Sequence, residues 1–524
     1  MSNKKSITQN HSTPSLEGKV RGGSSLSLIL FFLLAWLWAS WWMGDVLRIA
    51  YERSFFAPDS TLILWLWQKK LGWLWVAGRA LLTLYHWPVV GGLLVALLLT
   101  FGSWLTGRCL RLPSRLLWLR YVPATAWMVW TAHVGLNLYY MREPGRILGV
   151  PFAYVAALAL IALALRLFTG KPHTRSVASW RWAVGEALFV VLCFGLSVWH
   201  LESRHPWMRT LTHIQVQLLN EDYEGMVATA HEHPDLCNRH FAGYYAIALA
   251  RTGQLADRLF DIRLDFDSIR ARDYFDQPSQ CLNYHVVDCD YHAGLYRPAR
   301  HYVMEDMTMA GPSLFSLKYL AKMALLDGDW ALARKYFHVL HNAPFEGDFL
   351  RRFEPLVGHK KLVEADPELG AVLAMAPPLH TFEQFHLKPA FLGYYANLKA
   401  FKNEEALTWS IMANLYAKRM PDFLQRCGKL VGSPLPRSIA EGLTIAATKE
   451  PGVLKAFPQL ETMMNTLEFF INDATPYMQD RAAGGDALFE KYKGYYPYYY
   501  FFGNIRNARQ PGDDEQRQNN AGVN

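Results

Sequence analysis

Cysteine is scarce in this sequence, at six residues in 524, so a small disulfide-stapled scaffold is excluded. Charged residues make up only 19% and hydrophobic ones 51%, which leaves too much apolar side chain for a disordered or collagen-like chain. No phosphate-cradling Gly-x-x-x-x-Gly-Lys loop, no Gly-x-Gly-x-x-Gly turn and no Gly-x-Ser-x-Gly elbow is present, which weakens the common enzyme classes. Nor does any run alternate at period two for long enough to build a sheet. Helices are what remain.

Two scarcities divide the chain near residue 200. Only Trp207, Trp330 and Trp409 of the 19 tryptophans lie beyond it. Acidic residues are rare before it: residues 1–200 carry 19 Lys/Arg against 6 Asp/Glu, and residues 201–524 carry 34 against 39. The net charge of +8 therefore flanks apolar segments and is no nucleic-acid footprint, which needs basic residues clustered on a soluble surface.

The N-terminal part reads as a membrane domain, residues 25–200, behind a polar, disordered cytoplasmic tail, 1–24. Uncharged or nearly uncharged runs at 26–43, 89–105, 119–136, 150–168 and 182–199 approach the ~20 residues a helix needs to cross a bilayer. The first ends in Trp41, Trp42 and Met43 and lacks a small-residue cleavage site, so it is expected to be a retained anchor and not a signal peptide. Glu186 and Arg166 sit near span ends, within reach of headgroups. Between 60 and 87, Lys69 and Lys70 interrupt an apolar stretch bracketed by Trp65, Trp67, Trp73 and Trp75. A lysine pair at mid-bilayer would cost several kcal/mol, at ~2.5–3.5 per residue, so these are expected to be interfacial or re-entrant helices. Arg108, Arg111, Arg115 and Arg120 fill one loop and Lys171, Arg175 and Arg181 another. The positive-inside rule then puts the N-terminus in the cytoplasm, and five spans put residue 201 onward outside it. The bilayer is thus the first expected partner.

Beyond 200 the pattern is helical and repetitive. Across 313–344, Ala321 and its apolar neighbours fall at helical spacing, followed by Gly328-Asp329-Trp330 and then Ala333 and Phe337. This unit resembles a tetratricopeptide repeat, in which small residues let paired helices touch and a Gly-Asp-aromatic turn closes the hairpin. Weaker copies carry Gly294 and Tyr296, Gly253, and Glu221-Asp222-Tyr223, spaced 34, 41 and 32 residues apart. Residues 201–345 are therefore expected to be a tetratricopeptide-like α-solenoid and 346–507 further helices or a cap, with no convincing repeat after Pro344. The aromatic run Tyr495–Phe502 is expected to cover the solenoid end, the alternative being an anchor on a membrane or partner. Residues 508–524 read as a disordered tail.

The combination resembles a family of bacterial inner-membrane proteins of unknown function with an N-terminal multi-span region and a C-terminal tetratricopeptide-like domain. The stretches that carry the resemblance are 60–98 with His86-Trp87-Pro88, 246–260 with Arg251-Thr252-Gly253-Gln254, 311–337, and the terminal tyrosine-rich segment. It implies an inner-membrane protein of this architecture and supplies no catalytic residue; the periplasmic placement of the C-terminal domain rests on the span count.

Three groups of residues bear on chemistry. Cys281, His285, Cys289 and His292 fall on one helical face and are natural zinc ligands. The stripe is about 16 Å long at ~1.5 Å per residue, however, so one tetrahedral ion cannot take all four, and core packing is the plainer reading. His231-Glu232-His233 lacks the four-residue spacing of a zinc-protease helix. Asp45 and Asp59, near Arg48, Glu52 and Arg53, lie in the first outer loop. That layout looks like the loop of membrane glycosyltransferases that use lipid-linked sugars, where acidic residues act as base or metal ligand. Five spans leave little room for a polyprenyl donor. The expected function is a non-catalytic scaffold or adaptor for a protein complex in the bacterial envelope, needing no cofactor; the glycosyltransferase-like enzyme is the alternative.

Overall fold

The computed structural model describes residues 21–136, 143–169, 180–204, 207–236, 239–264, 284–377 and 390–503. The expected tails at 1–24 and 508–524 lie outside these, apart from 21–24. The described residues are helical, with no strand among them. They divide into two compact units: Met1–Leu47 with Leu66–Gly135 and Gly145–Arg204, and Arg48–Trp65 with Leu136–Pro144 and His205–Asn524.

In the first unit three helices are long and apolar enough to cross a membrane: Pro88–Cys109, Arg146–Phe168 and Trp182–Arg204. Leu26–Trp42 is a fourth candidate only when joined to Gly44–Glu52, across a 60° bend. Tyr121–Leu136, expected as a span, is helical up to the edge of the described residues. Pro88 opens its helix at the first helical position, where its missing N–H is no loss. That helix is the hub, packing against Arg21–Leu37 and Arg146–Thr169. A Cβ at Gly92 would collide with the Ser40 side chain and backbone, so glycine sets this close approach. Lys69 and Lys70 fall in the turn between the short helices Ser60–Trp67 and Gly72–Leu82, and the Trp75 indole donates to the Lys70 carbonyl at 2.8 Å. Glu186 does not reach for headgroups as expected. It is buried, 2.9 Å from Arg120, and accepts a hydrogen bond from Ser27 at 2.8 Å. An ion pair formed between helices removes the need to carry either charge to the interface.

Among the described residues, the second unit uses one turn five times. Met208–Leu219, Arg239–Arg251, Tyr284–His292, Leu314–Asp327 and Glu404–Tyr416 each end in a left-handed residue: Glu221 (φ 57°), Gly253 (72°), Gly294 (86°), Gly328 (72°) and Lys418 (56°). The following residue donates its N–H five positions back in every case: Asp222 to Gln217, Gln254 to Leu249, Leu295 to Asp290, Asp329 to Ala324 and Arg419 to Asn414, at 2.7–2.9 Å. The left-handed residue itself donates three positions back, at 3.0–3.2 Å. This is the Schellman closure, which satisfies the last carbonyls and turns the chain sharply. A second helix starts at once, at Tyr223, Leu255, Tyr296, Trp330 and Met420. Asp222 and Asp329 serve both ends of the turn, because their carboxylates also cap the next helix through Gly225 and Leu332 N–H. Ala321, Ala333 and Phe337 are fully buried, so the paired helices touch through them.

The fifth turn, at Lys418, lies beyond Pro344, where the sequence showed no convincing repeat. Lysine in place of glycine hides it. The array also closes on itself. Helix Arg437–Ala447 packs on Leu255–Arg258, the Arg437 N–H donates to Asp257 at 2.7 Å, and Arg263 pairs with Asp486 at 2.8 Å. The aromatic segment joins that closure as Tyr496–Phe502. Tyr496 and Tyr499 are buried against Phe260, and their hydroxyls donate to the Leu415 and Tyr416 carbonyls at 3.0 and 2.7 Å.

Candidate functional site

Helix Leu314–Asp327 is buried nearly all round, yet it carries Lys318 and Lys322 one turn apart. Two lysines at that spacing repel, so a buried helix keeps them only where acids face them. Lys318 lies 2.8 Å from both Glu52 and Glu346, and Lys322 lies 2.7 Å from Glu368. Glu346 also accepts from the Tyr51 hydroxyl at 2.5 Å, and Glu52 is 3.2 Å from Arg48. Segment Arg48–Trp65 is therefore an integral part of this unit. Ser54 accepts from the Leu314 N–H at 3.0 Å, and the Trp65 ring fills the space a side chain on Gly311 would need. Burial pushes the Lys318 ammonium down, but Glu52 and Glu346 overcome it and hold it above the usual range.

These side chains border a cavity of about 70 Å³. One water needs roughly 10–15 Å³ by the same measure, so it has room for several waters or a small molecule. Phe315, Lys318, Tyr319 and Lys322 line one wall at i, i+3, i+4 and i+7 of their helix. Asp288 and His292 face it from Tyr284–His292, Gln215, Leu218 and Leu219 from Met208–Leu219, and Ile49, Glu52 and Arg53 from the early segment; Glu221 and Glu368 complete it.

Behind the wall runs a directional chain. Gln215 Nε2 donates to the Tyr244 hydroxyl (2.8 Å), which donates to one Asp288 oxygen (2.6 Å), while Tyr319 donates to the other (2.6 Å). Burial pushes the Asp288 carboxyl up to about 6, against the two tyrosines, Arg53 and Lys322, which favour the ionised form. Burial, helped by the charges of Arg251 and Lys322, holds His292 well below its ordinary value, so its imidazole is neutral. Both lysines are committed to ion pairs and Asp288 to two tyrosines. The site is thus equipped to recognise polar groups.

A pH dependence follows. Between the ordinary 3.8 and about 6, the folded protein keeps a proton on Asp288 that the unfolded chain has released. The stability from this group is full at low pH and lost as pH rises through about 6. Relative to Asp288→Asn, the wild type should lose on the order of 2–3 kcal/mol between acid and neutral pH. Melting curves of both proteins from pH 4 to 8 check this, and a constant difference would refute it.

The residues singled out from sequence are placed elsewhere, except His292. Asp45 opens the helix Gly44–Glu52 in the first unit. Asp59 is exposed in the second, and its carboxylate accepts from the Leu62 N–H at 3.2 Å, so it caps a helix. Hydrogen bonds from Thr61 and Leu62 hold its carboxyl below the usual range. Cys281 lies outside the described residues, as does the His285 side chain. Cys289 and His292 are buried, and Cys289 is a free thiol that burial pushes up. Among the described residues, no three His, Cys, Asp or Glu side chains gather where a metal could be held. His231 packs at a helix end, 3.0 Å from the Tyr245 hydroxyl. Lys318, Lys322, Asp288, Gln215 and Glu368 were missed. The signal was present in the sequence: two lysines in the otherwise uncharged thirteen-residue stretch 314–326, inside the clearest repeat.

No curated protein and no solved structure matches the chain significantly. One family does match, over residues 208–503, more than half of the chain, and those residues carry all five turns and every cavity residue except the three from the early segment. The chain belongs to this family of unknown function, DUF6057.

Proposed function

We propose that this protein is a membrane-anchored, tetratricopeptide-like α-solenoid that serves as a non-catalytic scaffold or adaptor, holding a protein partner in the bacterial envelope. The observation that carries this reading is the recurrence of one helix–Schellman turn–helix unit at Glu221, Gly253, Gly294, Gly328 and Lys418. Stacked helical hairpins display long, regular faces, and binding of proteins or peptides is their usual use. Glu346, Lys318 and the tyrosines around Asp288 support it, since ion pairs and hydrogen bonds of this kind stiffen a binding platform and leave no uncommitted nucleophile beside a base. Were all five apolar runs to cross, with the arginine-rich loop at 108–120 inside, the platform would face the periplasm from the inner membrane.

Purification of the full-length tagged protein in mild detergent, followed by mass spectrometry of what remains bound in stoichiometric amount, tests the reading. A partner that disappears when 208–503 is deleted supports it. A lone protein carrying a lipid-linked sugar overturns it in favour of the glycosyltransferase-like alternative. Asp45→Ala and Asp59→Ala would then abolish activity, whereas they leave a scaffold's partner bound.

A further inference from the structure

The helix Pro88–Cys109 ends in a surface shaped to match a phospholipid. We propose that it binds one anionic phospholipid of the surrounding bilayer, with the phosphate on Arg108 and Arg115 and an acyl chain along Trp104, Phe101 and Leu97. This rests on the membrane anchoring proposed above and is independent of any protein partner.

Three observations carry it. The first is a graded stripe on one helix face. Leu97, Phe101, Trp104 and Arg108 are spaced i, i+4, i+7 and i+11, an arc of about 60° on a regular helix. Leu97 is 53% exposed and Phe101 47%. The Trp104 ring stacks on Phe101 with centroids 5.5 Å apart, and the Arg108 guanidinium lies 4.1 Å from the Trp104 ring. The stripe therefore passes from aliphatic through aromatic to cationic. Its length of about 16 Å is the depth of one leaflet in a ~30 Å hydrocarbon core. Stacking holds the guanidinium in place before any ligand arrives.

The second is the turn that follows. Arg111 (φ 48°) donates its N–H to the Arg108 carbonyl at 3.2 Å, and Leu112 donates to Gly107 at 3.3 Å. The backbone closes the helix end by itself, so Arg108 is not needed as its cap. The short helix Ser114–Arg120 then packs back on Pro88–Cys109, and a Cβ on Gly107 would lie 3.4 Å from the Arg120 stem. Arg120 turns inward to Glu186, whereas Arg115 stays exposed, as does Arg108. Leu110 and Leu116 beside them are also exposed, which suits the boundary between headgroups and acyl chains.

The third is charge. No Asp or Glu occurs between Asp59 and Glu143. Glu186 is engaged by Arg120 and Ser27, and Glu202 accepts from the Trp42 indole at 2.9 Å. Among the described residues, Arg108 and Arg115 form no ion pair. A zwitterionic headgroup leaves that positive charge unbalanced. An anionic one offsets it, and the planar fork of arginine matches a phosphate.

Native mass spectrometry of the full-length protein in lipid-free detergent tests the proposal, with phosphatidylglycerol and phosphatidylcholine of the same acyl chains as probes. Saturable binding of one phosphatidylglycerol is expected, about tenfold or more tighter than phosphatidylcholine. Arg108→Gln with Arg115→Gln should abolish that preference, since each arginine at a charged membrane surface is worth severalfold in affinity. Lys69→Gln with Lys70→Gln, at the other basic pair of the first unit, should leave it unchanged. Equal affinity for the two lipids would overturn the proposal, and that readout on the wild type depends on no variant's folding. So would a preference that survives the arginine substitutions or vanishes with the lysine ones, or displacement of the lipid by millimolar inorganic phosphate. Failure of the anchoring itself would show separately, as protein released from membranes without detergent.

Discussion

Lys318→Met is expected to destabilise the protein by about 3–5 kcal/mol, the range for breaking a buried ion pair on one side. Its ammonium bridges Glu52 and Glu346, both only 3% exposed at the side chain, at 2.8 Å each. Methionine fills most of the same volume, so packing is nearly kept while two buried carboxylates lose their shared cation. Glu52 would retain Arg48 and Glu346 would retain Tyr51, which keeps the loss from reaching the sum of two isolated charges. Adding Glu52→Gln and Glu346→Gln to Lys318→Met removes both orphaned charges and should recover at least half of the loss. Denaturant unfolding of the wild type, Lys318→Met, the Glu52→Gln/Glu346→Gln variant and the triple variant measures this as a coupling energy. A loss under about 1 kcal/mol for Lys318→Met would mean that the triad behaves as an exposed surface pair and does not hold Arg48–Trp65 in the fold.

Tyr496→Ala should cost about 3–5 kcal/mol, as expected for removing a fully buried aromatic ring. The ring is 0% exposed and sits 4.9 Å, centroid to centroid, from Phe260, some 236 residues earlier in the chain. Tyr496→Phe removes the hydrogen bond to the Leu415 carbonyl and the weak contact with the Met420 sulfur at 3.9 Å, a loss of about 1 kcal/mol. That carbonyl keeps the Lys418 N–H, so it is not left bare. The pair of variants separates the two roles of the aromatic segment. A cap gives a large alanine effect and a small phenylalanine effect in thermal unfolding. An anchor lying on a surface gives little change in unfolding for either, and a loss of membrane or partner binding instead.

Much of the fold was legible because local chemistry and hydropathy carry it. The apolar runs of the first unit, the Gly253, Gly294 and Gly328 turns, and the Asp329 cap each depend on a few neighbouring residues. Where the same geometry was made by a residue that rarely adopts it, the signal failed, as at Lys418 with its φ of 56°. Pairing over long separations was also illegible. Arg120 and Glu186 read as two charges near membrane surfaces, and only packing brings them to 2.9 Å.

The candidate site shows the same division. Asp288, Lys318 and Glu368 are ordinary charged residues on separate helices, and nothing in their spacing announces a common cavity. The sequence by itself determined helical class, the apolar segments and where hairpins turn, since each follows from side chains within one or two helical turns. Only the tertiary structure decided that Arg48–Trp65 joins the C-terminal unit, that Tyr496 closes on Phe260, and that opposite charges meet around one small cavity. Those outcomes depend on which buried charges find partners and which rings find space, and both are set by contacts between residues tens to hundreds of positions apart.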